Sequence, residues 1–214
     1  MHLNFYDFLD ILSFLISLSV YFQKSVPYYL KCFPFYFICS FIIGMVEENL
    51  QRHGKYNTAI YNSWGIIEFC FYFFVLREII ETPKFKKLIL LVIGIYPLIC
   101  ILFLYFQKQV GFNPVNYSLG CIMVIVSCIY YFFELFQKTE FPSLVSLQSF
   151  WITTAILFNY ALAFPTFAFI SFMNKIPKII ANNLDTIFYI INSLVLILFS
   201  IAFLCRIRMS KSIS

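Results

Sequence analysis

Glu68 is the residue whose type and position in this chain most demand an explanation. It lies about nine residues inside an apolar stretch, residues 60–76, and no lysine or arginine occurs there before Arg77. A charged, unpaired carboxylate at the centre of a membrane helix costs ~2.5–3.5 kcal/mol on insertion scales. A chain that keeps such a group holds it inside a helix bundle, where it is protonated, hydrogen-bonded or holding a cation. No basic residue lies inside any apolar run, so Glu68 has no lysine or arginine partner at membrane depth. Beside tyrosine and asparagine, a carboxyl of this kind has two chemistries open to it: carrying a proton, or holding a ligand through hydrogen bonds.

Its companions follow from helical periodicity. At 100° per residue, the few polar groups of each apolar run fall into stripes. In the second run Ser40, Gly44, Glu47 and Gln51 align, with Glu48 turned about 100° away. The third run carries Tyr61, Trp64, Gly65, Glu68 and Tyr72 on one face. The fifth aligns Asn116, Gly120, Ser127 and Glu134. The sixth aligns Ser149, Thr153 and Tyr160, with Trp151 and Asn159 to either side, and the seventh aligns Asp185, Tyr189 and Asn192. These stripes share a depth, which predicts a polar cavity between the second, third, fifth, sixth and seventh helices, open toward the exterior. Glu47, Tyr61, Glu68, Tyr160, Asp185 and Asn192 are its candidate ligand- or ion-binding residues, with Asn116 at the same level. The fourth run offers only Gly94, Tyr96 and Pro97 and is expected to face lipid most completely.

The elements that must position these groups are membrane helices. The chain has 214 residues, of which 62% are hydrophobic and 12% charged, with a mean hydropathy of +0.86. Soluble domains run near 45–50% apolar and about 25% charged. So much apolar surface cannot be hidden in a water-soluble fold of this size, which makes lipid the solvent. The expected fold is all-α, a single polytopic domain over residues 1–214 with seven transmembrane helices. Their bounds are near 5–22, 30–50, 60–77, 88–106, 115–136, 144–172 and 184–204. The second is apolar only over 33–46 and must be extended to cross; a six-helix alternative follows if it does not. The connections are short and carry the Pro, Asn, Gly and Lys that end helices.

Asp7 and Asp10 open the first run and no basic segment or small-residue cleavage site flanks it, so it reads as a retained helix. Assigning loops alternately puts ten lysines and arginines on one side and five on the other. The positive-inside rule then predicts an external N-terminus and a cytoplasmic C-terminus in the cell (inner) membrane. The +5 net charge reflects these helix ends rather than a nucleic-acid surface. Gly is scarce, at 6 residues, against 29 Phe and 15 Tyr, so rings rather than small-residue contacts must fill the space between helices. Pro97 and Pro165 lie within the fourth and sixth runs and predict static kinks.

Several chemistries are excluded. The only histidines are His2 and His53, neither in a span, which removes three-histidine metal sites and intramembrane Ser–His dyads. The seven cysteines are scattered without zinc or redox spacing and read as small apolar packing residues. No phosphate-cradling glycine loop occurs, and no lysine in the seventh run is available for a retinal Schiff base. No cofactor and no metal is implied. An enzyme would have to run on Glu47, Glu68 and His53. Asn116-Tyr117-Ser118 matches the glycosylation triplet but lies at a membrane edge.

Glu47-Glu48 ending the second run, Tyr61-Asn62 opening the third with Glu68 beyond, and Phe150-Trp151 early in the sixth give the chain a resemblance. It resembles small bacterial seven-helix membrane proteins that look like the membrane sensor region of some histidine kinases, detached from the kinase. A Phe-, Ile-, Lys- and Asn-rich composition fits an AT-rich bacterial genome. The resemblance implies a receptor-like or accessory role: a small or lipidic ligand bound in the outward cavity, and a signal passed to a cytoplasmic or membrane protein partner. The departure is that this chain ends about ten residues after the seventh run without an output domain, so the signal is expected to leave through a partner or through residues 206–214. The alternative is a proton- or cation-coupled carrier or a channel-forming effector, for which the inverted repeats and paired Gly/Pro breaks of many transporters are not seen. A lipid-modifying enzyme and an assembly subunit are the remaining readings.

Overall fold

The computed structural model describes residues 5–23, 26–54, 57–107, 112–138, 143–169 and 183–213, without the side chains of 5–7, 107, 169, 184–185 and 206–213. Asp7, Asp185 and the basic residues Lys24, Lys55, Lys108, Lys175, Lys178, Arg206, Arg208 and Lys211 therefore lie outside the described residues or side chains. Helix is the regular structure of the described residues, with no strand among them. The helices are α1 (Phe5–Leu18), α2 (Tyr28–Arg52), α3 (Thr58–Ile79), α4 (Pro83–Gln107), α5 (Pro114–Phe136), α6 (Gln148–Phe169) and α7 (Leu184–Ile213). Six of them, α2 to α7, are long and apolar enough to cross a membrane, and α1 is a shorter apolar helix. The chain is thus a helical membrane bundle.

The second helix is not the short one. It runs 25 residues, continuous through Pro34, because its polar end, Glu47 to Arg52, stays helical beyond the apolar run. The short one is α1, with 14 residues followed by a 3₁₀ turn over Ser19–Phe22. At 1.5 Å and 2.0 Å per residue these rise about 21 Å and roughly 8 Å, close to the ~30 Å of a hydrocarbon core. The sixth helix begins later than its hydropathy implies. A 3₁₀ turn at Leu144–Ser146 precedes it and α6 starts at Gln148. Trp151 Nε1 donates to Val145 O at 2.8 Å across that break, and Cys205 Sγ on α7 reaches the same carbonyl at 3.4 Å.

Contacts fix the direction of each helix relative to its neighbours. Tyr36 meets Glu68 while Tyr28 meets Phe74, so α2 and α3 are antiparallel. Gly65 faces Tyr117 and Gly120 faces Phe69, so α3 and α5 run in parallel. Tyr131 bonds Ser149 while Tyr117 packs on Phe167, which sets α5 against α6. Ser13 Oγ donates to Leu196 O at 3.2 Å and lies 3.0 Å from Ser200 Oγ, placing α1 beside α7.

The α3–α5 pair is tied at both ends. At one, Asn113 caps α5 by accepting from Val115 N and Asn116 N, both at 3.1 Å, while Asn113 N donates to Asn62 Oδ1 at 3.2 Å. At the other, the Glu134 carboxylate accepts from Glu81 N at 2.9 Å and Thr82 N at 2.8 Å, and Lys138 pairs with Glu81 at 2.7 Å. These last contacts put the α3–α4 and α5–α6 connections at one end of the bundle.

Rings fill the interior as the composition requires. Phe33 lies at 5.2–6.5 Å between ring centroids from Tyr36, Phe37, Phe71, Phe199 and Phe203, joining α2, α3 and α7. Each such pair adds ~0.5–1.5 kcal/mol beyond area burial. The fourth helix is the least buried span, at 17% of its core window against 28–39% for the others. Its inward face is short, with Ile89, Tyr96 and Cys100 buried. All seven cysteines are free.

Gly120 is where this packing is tightest. A Cβ there would lie 2.7 Å from Phe69 Cε2 and from Tyr96 Oη, whereas one at Gly94 would meet nothing within 4 Å. Gly120→Ala is therefore expected to destabilise the bundle by ~1–3 kcal/mol, read as a lowered unfolding midpoint in detergent. Gly94→Ala should be neutral or slightly stabilising; equal behaviour of the two variants would refute the close approach.

Candidate functional site

The Glu68 side chain emerges from the middle of α3, whose frame is held by the two ties to α5. It faces a cavity of about 500 Å³, within the usual range for small-molecule sites. The cavity occupies the half of the bundle that holds the α2–α3 connection. Its mouth residues are Glu47, Glu48 and Arg52 from the end of α2 and Tyr61 from the start of α3. Its floor is set by Tyr36, Tyr72 and Phe199.

The polar chemistry centres on three side chains. Tyr36 Oη donates to Glu68 Oε1 at 3.0 Å and lies 2.8 Å from Tyr72 Oη. Because Tyr36 gives its only proton to the carboxyl, Tyr72 is the donor in the second bond. The result is a directed chain, Tyr72 to Tyr36 to Glu68, linking α2 and α3 within an apolar interior. Tyr36 is held in place by its ring, stacked on Phe71 at 4.4 Å and parallel to Trp64 at 5.9 Å. Tyr160, from α6, stands beside the same carboxyl. It is fully buried, with its hydroxyl within reach of that carboxyl.

The expected residues divide as follows. Glu47, Tyr61, Glu68 and Asn192 line one cavity, together with Ser40, Gly44, Trp64, Gly65 and Tyr72 of the predicted stripes. Tyr160 stands behind Glu68 and does not form part of the cavity wall. Asp185 belongs to α7, but its side chain is outside those described. The fifth-helix stripe does not face the cavity. Asn116 Nδ2 donates to Cys100 O at 3.2 Å and the Asn116 backbone carbonyl accepts from Tyr96 Oη at 3.2 Å, stitching α5 to α4. Ser127 Oγ satisfies itself on Met123 O at 2.8 Å, and Glu134 closes the α3–α4 turn. From α5 the cavity receives Tyr117 instead.

Two wall residues carry chemistry that periodicity did not single out. Tyr36 was one ring among many in α2, and only its hydroxyl partner distinguishes it. Asp10, 6% exposed, enters from α1 and joins the lining. Among the described residues the wall holds the carboxyls of Asp10, Glu47, Glu48 and Glu68 and the basic group of Arg52, which pairs with Glu48 at the exposed rim. His53 contacts Asn49 O at 2.8 Å from an exposed position outside the cavity wall, so Glu47, Glu68 and His53 are not assembled as a set. Among the described residues no three His, Cys, Asp or Glu side chains are grouped closely enough to hold a metal ion.

Comparison with protein-family models, with curated proteins and with solved structures finds no match for this chain.

The hydrogen bond between Tyr36 and Glu68 is open to measurement. Tyr36→Phe removes the donor from Glu68 and the acceptor from Tyr72. A double-mutant cycle with Glu68→Leu, which removes the acceptor, should give a coupling of ~0.6–2 kcal/mol, the range for interhelical polar contacts in membranes. Additive effects of the two substitutions on unfolding in detergent would contradict the bond.

Proposed function

We propose that this chain is a receptor-like or accessory membrane protein that binds a small or lipidic ligand in the Glu68 cavity and passes the signal to a protein partner. The observation that carries this reading is the Tyr72–Tyr36–Glu68 chain opening onto a cavity of about 500 Å³. A carboxyl needed only to hold helices together would be buried against its partners; this one lines open space. The walls come from α1, α2, α3, α5, α6 and α7, so a ligand inside touches most of the bundle and can bias how its helices pack.

In this reading the chain crosses the membrane seven times, with α1 and its 3₁₀ turn as the first crossing. The N-terminus and cavity mouth face the exterior, and the α3–α4 and α5–α6 connections face the cytoplasm. The excess of lysine and arginine assigned to those connections supports this orientation. The sensor-like resemblance noted from Glu47-Glu48, Tyr61-Asn62 and Phe150-Trp151 supports the receptor-like role, not the orientation.

The test is a thermal-stability screen of small polar and amphiphilic compounds against the protein in lipid nanodiscs. A ligand at 100 times its Kd stabilises by about 2.7 kcal/mol. Hits are expected whose stabilisation is reduced at least tenfold in apparent affinity by Glu68→Gln, which keeps an acceptor for Tyr36. Hits that stabilise Glu68→Leu as strongly as the wild type would remove Glu68 from the site, and a screen without hits would count against the binding role. A fluorescent-protein fusion at the C-terminus should be bright if that end is cytoplasmic; a dark fusion with a normally folded bundle would reverse the orientation.

A further inference from the structure

Lys84, Lys86 and Lys87 stand within the first five residues of α4, at the end of the bundle away from the cavity. The acids around them are engaged elsewhere: Glu78 with Arg77, Glu81 with Lys138, and Glu134 with the backbone N–H groups of Glu81 and Thr82. The three lysines enter no ion pair among the described residues. The parts of this end outside the described residues and side chains bring Lys24, Arg206, Arg208 and Lys211 against a single acid, Glu140. The charge here is therefore positive however those parts are arranged. An anion from outside the chain relieves the mutual repulsion of the lysines.

We propose that Lys84 and Lys87 hold the headgroup phosphate of an anionic phospholipid whose acyl chains lie along the exposed face of α4. At 3.6 residues per turn, Lys84, Lys87, Leu88, Leu91, Ile95 and Leu98 share one face of the helix. The four apolar members are 45–60% exposed, on the span with the smallest buried share. Gly94 leaves a notch on that face, where an added Cβ would meet nothing within 4 Å. From Leu88 to Leu98 the face runs about 15 Å at ~1.5 Å per residue. That is half of the ~30 Å hydrocarbon core, so the face matches the acyl chains of a single leaflet. Lysine stems lie along apolar surface while the ammonium stays at headgroup level, where anionic lipids attract basic residues. A soluble phosphate would engage the lysines alone and leave the face below them unused. Lys86, about 100° from Lys87 around the helix and half-buried, borders the site. The site depends neither on the cavity nor on which way the bundle is inserted.

Trp64 and Trp151 are the two tryptophans of the chain, so Trp64→Phe and Trp151→Phe allow a single reporter to be placed by Leu91→Trp. This variant is reconstituted in mixtures of phosphatidylglycerol and phosphatidylcholine, one or the other carrying brominated acyl chains that quench tryptophan. Quenching should show phosphatidylglycerol favoured at position 91 by about fivefold, the factor that one lysine contributes near an anionic surface. Lys84→Gln with Lys87→Gln should bring the ratio to about one, and Lys84→Arg with Lys87→Arg should keep it. In ~1 M salt, where the Debye length is about 3 Å, the preference should also collapse. Leu102→Trp, on the same face in the opposite leaflet, should report little preference. Intact-mass spectrometry of the chain with both tryptophans, offered equal amounts of the two lipids, should retain more phosphatidylglycerol and lose that excess in the double glutamine variant. A poorly folded tryptophan variant therefore does not decide the matter. Equal quenching by the two lipids at position 91, or a preference that survives the glutamine substitutions, would overturn the site. A preference at position 102 as large as at 91 would overturn it too, leaving only a general attraction of the protein for anionic bilayers.

Discussion

In lipid there is no hydrophobic drive to push one helix against another, since the acyl chains are as apolar as the side chains. This bundle is held instead by interlocked rings and by a few polar ties placed where helices begin and end. The most consequential tie is the Glu134 carboxylate, which takes two backbone N–H groups of the α3–α4 turn that would otherwise go unsatisfied at the head of α4. With the Asn62–Asn113 contact at the opposite end, it fixes α3 against α5 in register. Glu68 stands on that fixed helix, and Tyr36 reaches it from a second helix whose ring is wedged between Phe71 and Trp64. The position of the central carboxyl is thus set by groups far from the cavity.

The same logic explains why the interior is so aromatic. With few glycines, the helices stand apart at ring width, and Phe33, Phe199 and Phe203 fill the gap on the side of α2 and α7. Where two helices do come close, a glycine is required, and Gly120 under Phe69 and Tyr96 is that place. The space left unfilled lies where the rings give way to carboxyls and amides toward the end of α2. A cavity in such a bundle is a consequence of where polar residues interrupt the aromatic packing.

Much of this was legible in the sequence, and the exceptions have physical causes. The faces of α2 and α3 were readable because Glu47 and Glu68 mark them, and an acid in an apolar run tolerates only an inward or solvated position. The α5 stripe was aligned correctly on its own helix, but periodicity reports which residues share a face and not what that face meets. Asn116 and Glu134 meet backbone groups of α4 and its leading turn. Ser127 misled for another reason: like Thr154 and Ser193, it returns its hydroxyl hydrogen bond to the carbonyl four residues back, so it needs no polar neighbour across the bundle. Tyr36 was hidden among many rings, since nothing in its type reveals that its hydroxyl finds Glu68 32 positions away. The late start of α6 was hidden because residues 144–147 are mostly apolar and carry no glycine or proline to signal the 3₁₀ turn.

The central claim is that Glu68 lines a cavity reached from the side of the membrane that bears the α2–α3 connection. The most direct measurement is site-specific labelling in sealed vesicles of known orientation. In a cysteine-free background, Ser40→Cys on α2 and Asn192→Cys on α7 are treated from each side with a membrane-impermeant thiol reagent. Both residues line the cavity, so both should react when the reagent is on the side of the α2–α3 connection and be protected from the other. Ile95→Cys, on the exposed face of α4, should resist reagent from either side. Protection of positions 40 and 192 from both sides, in a folded protein, would contradict an accessible cavity at Glu68.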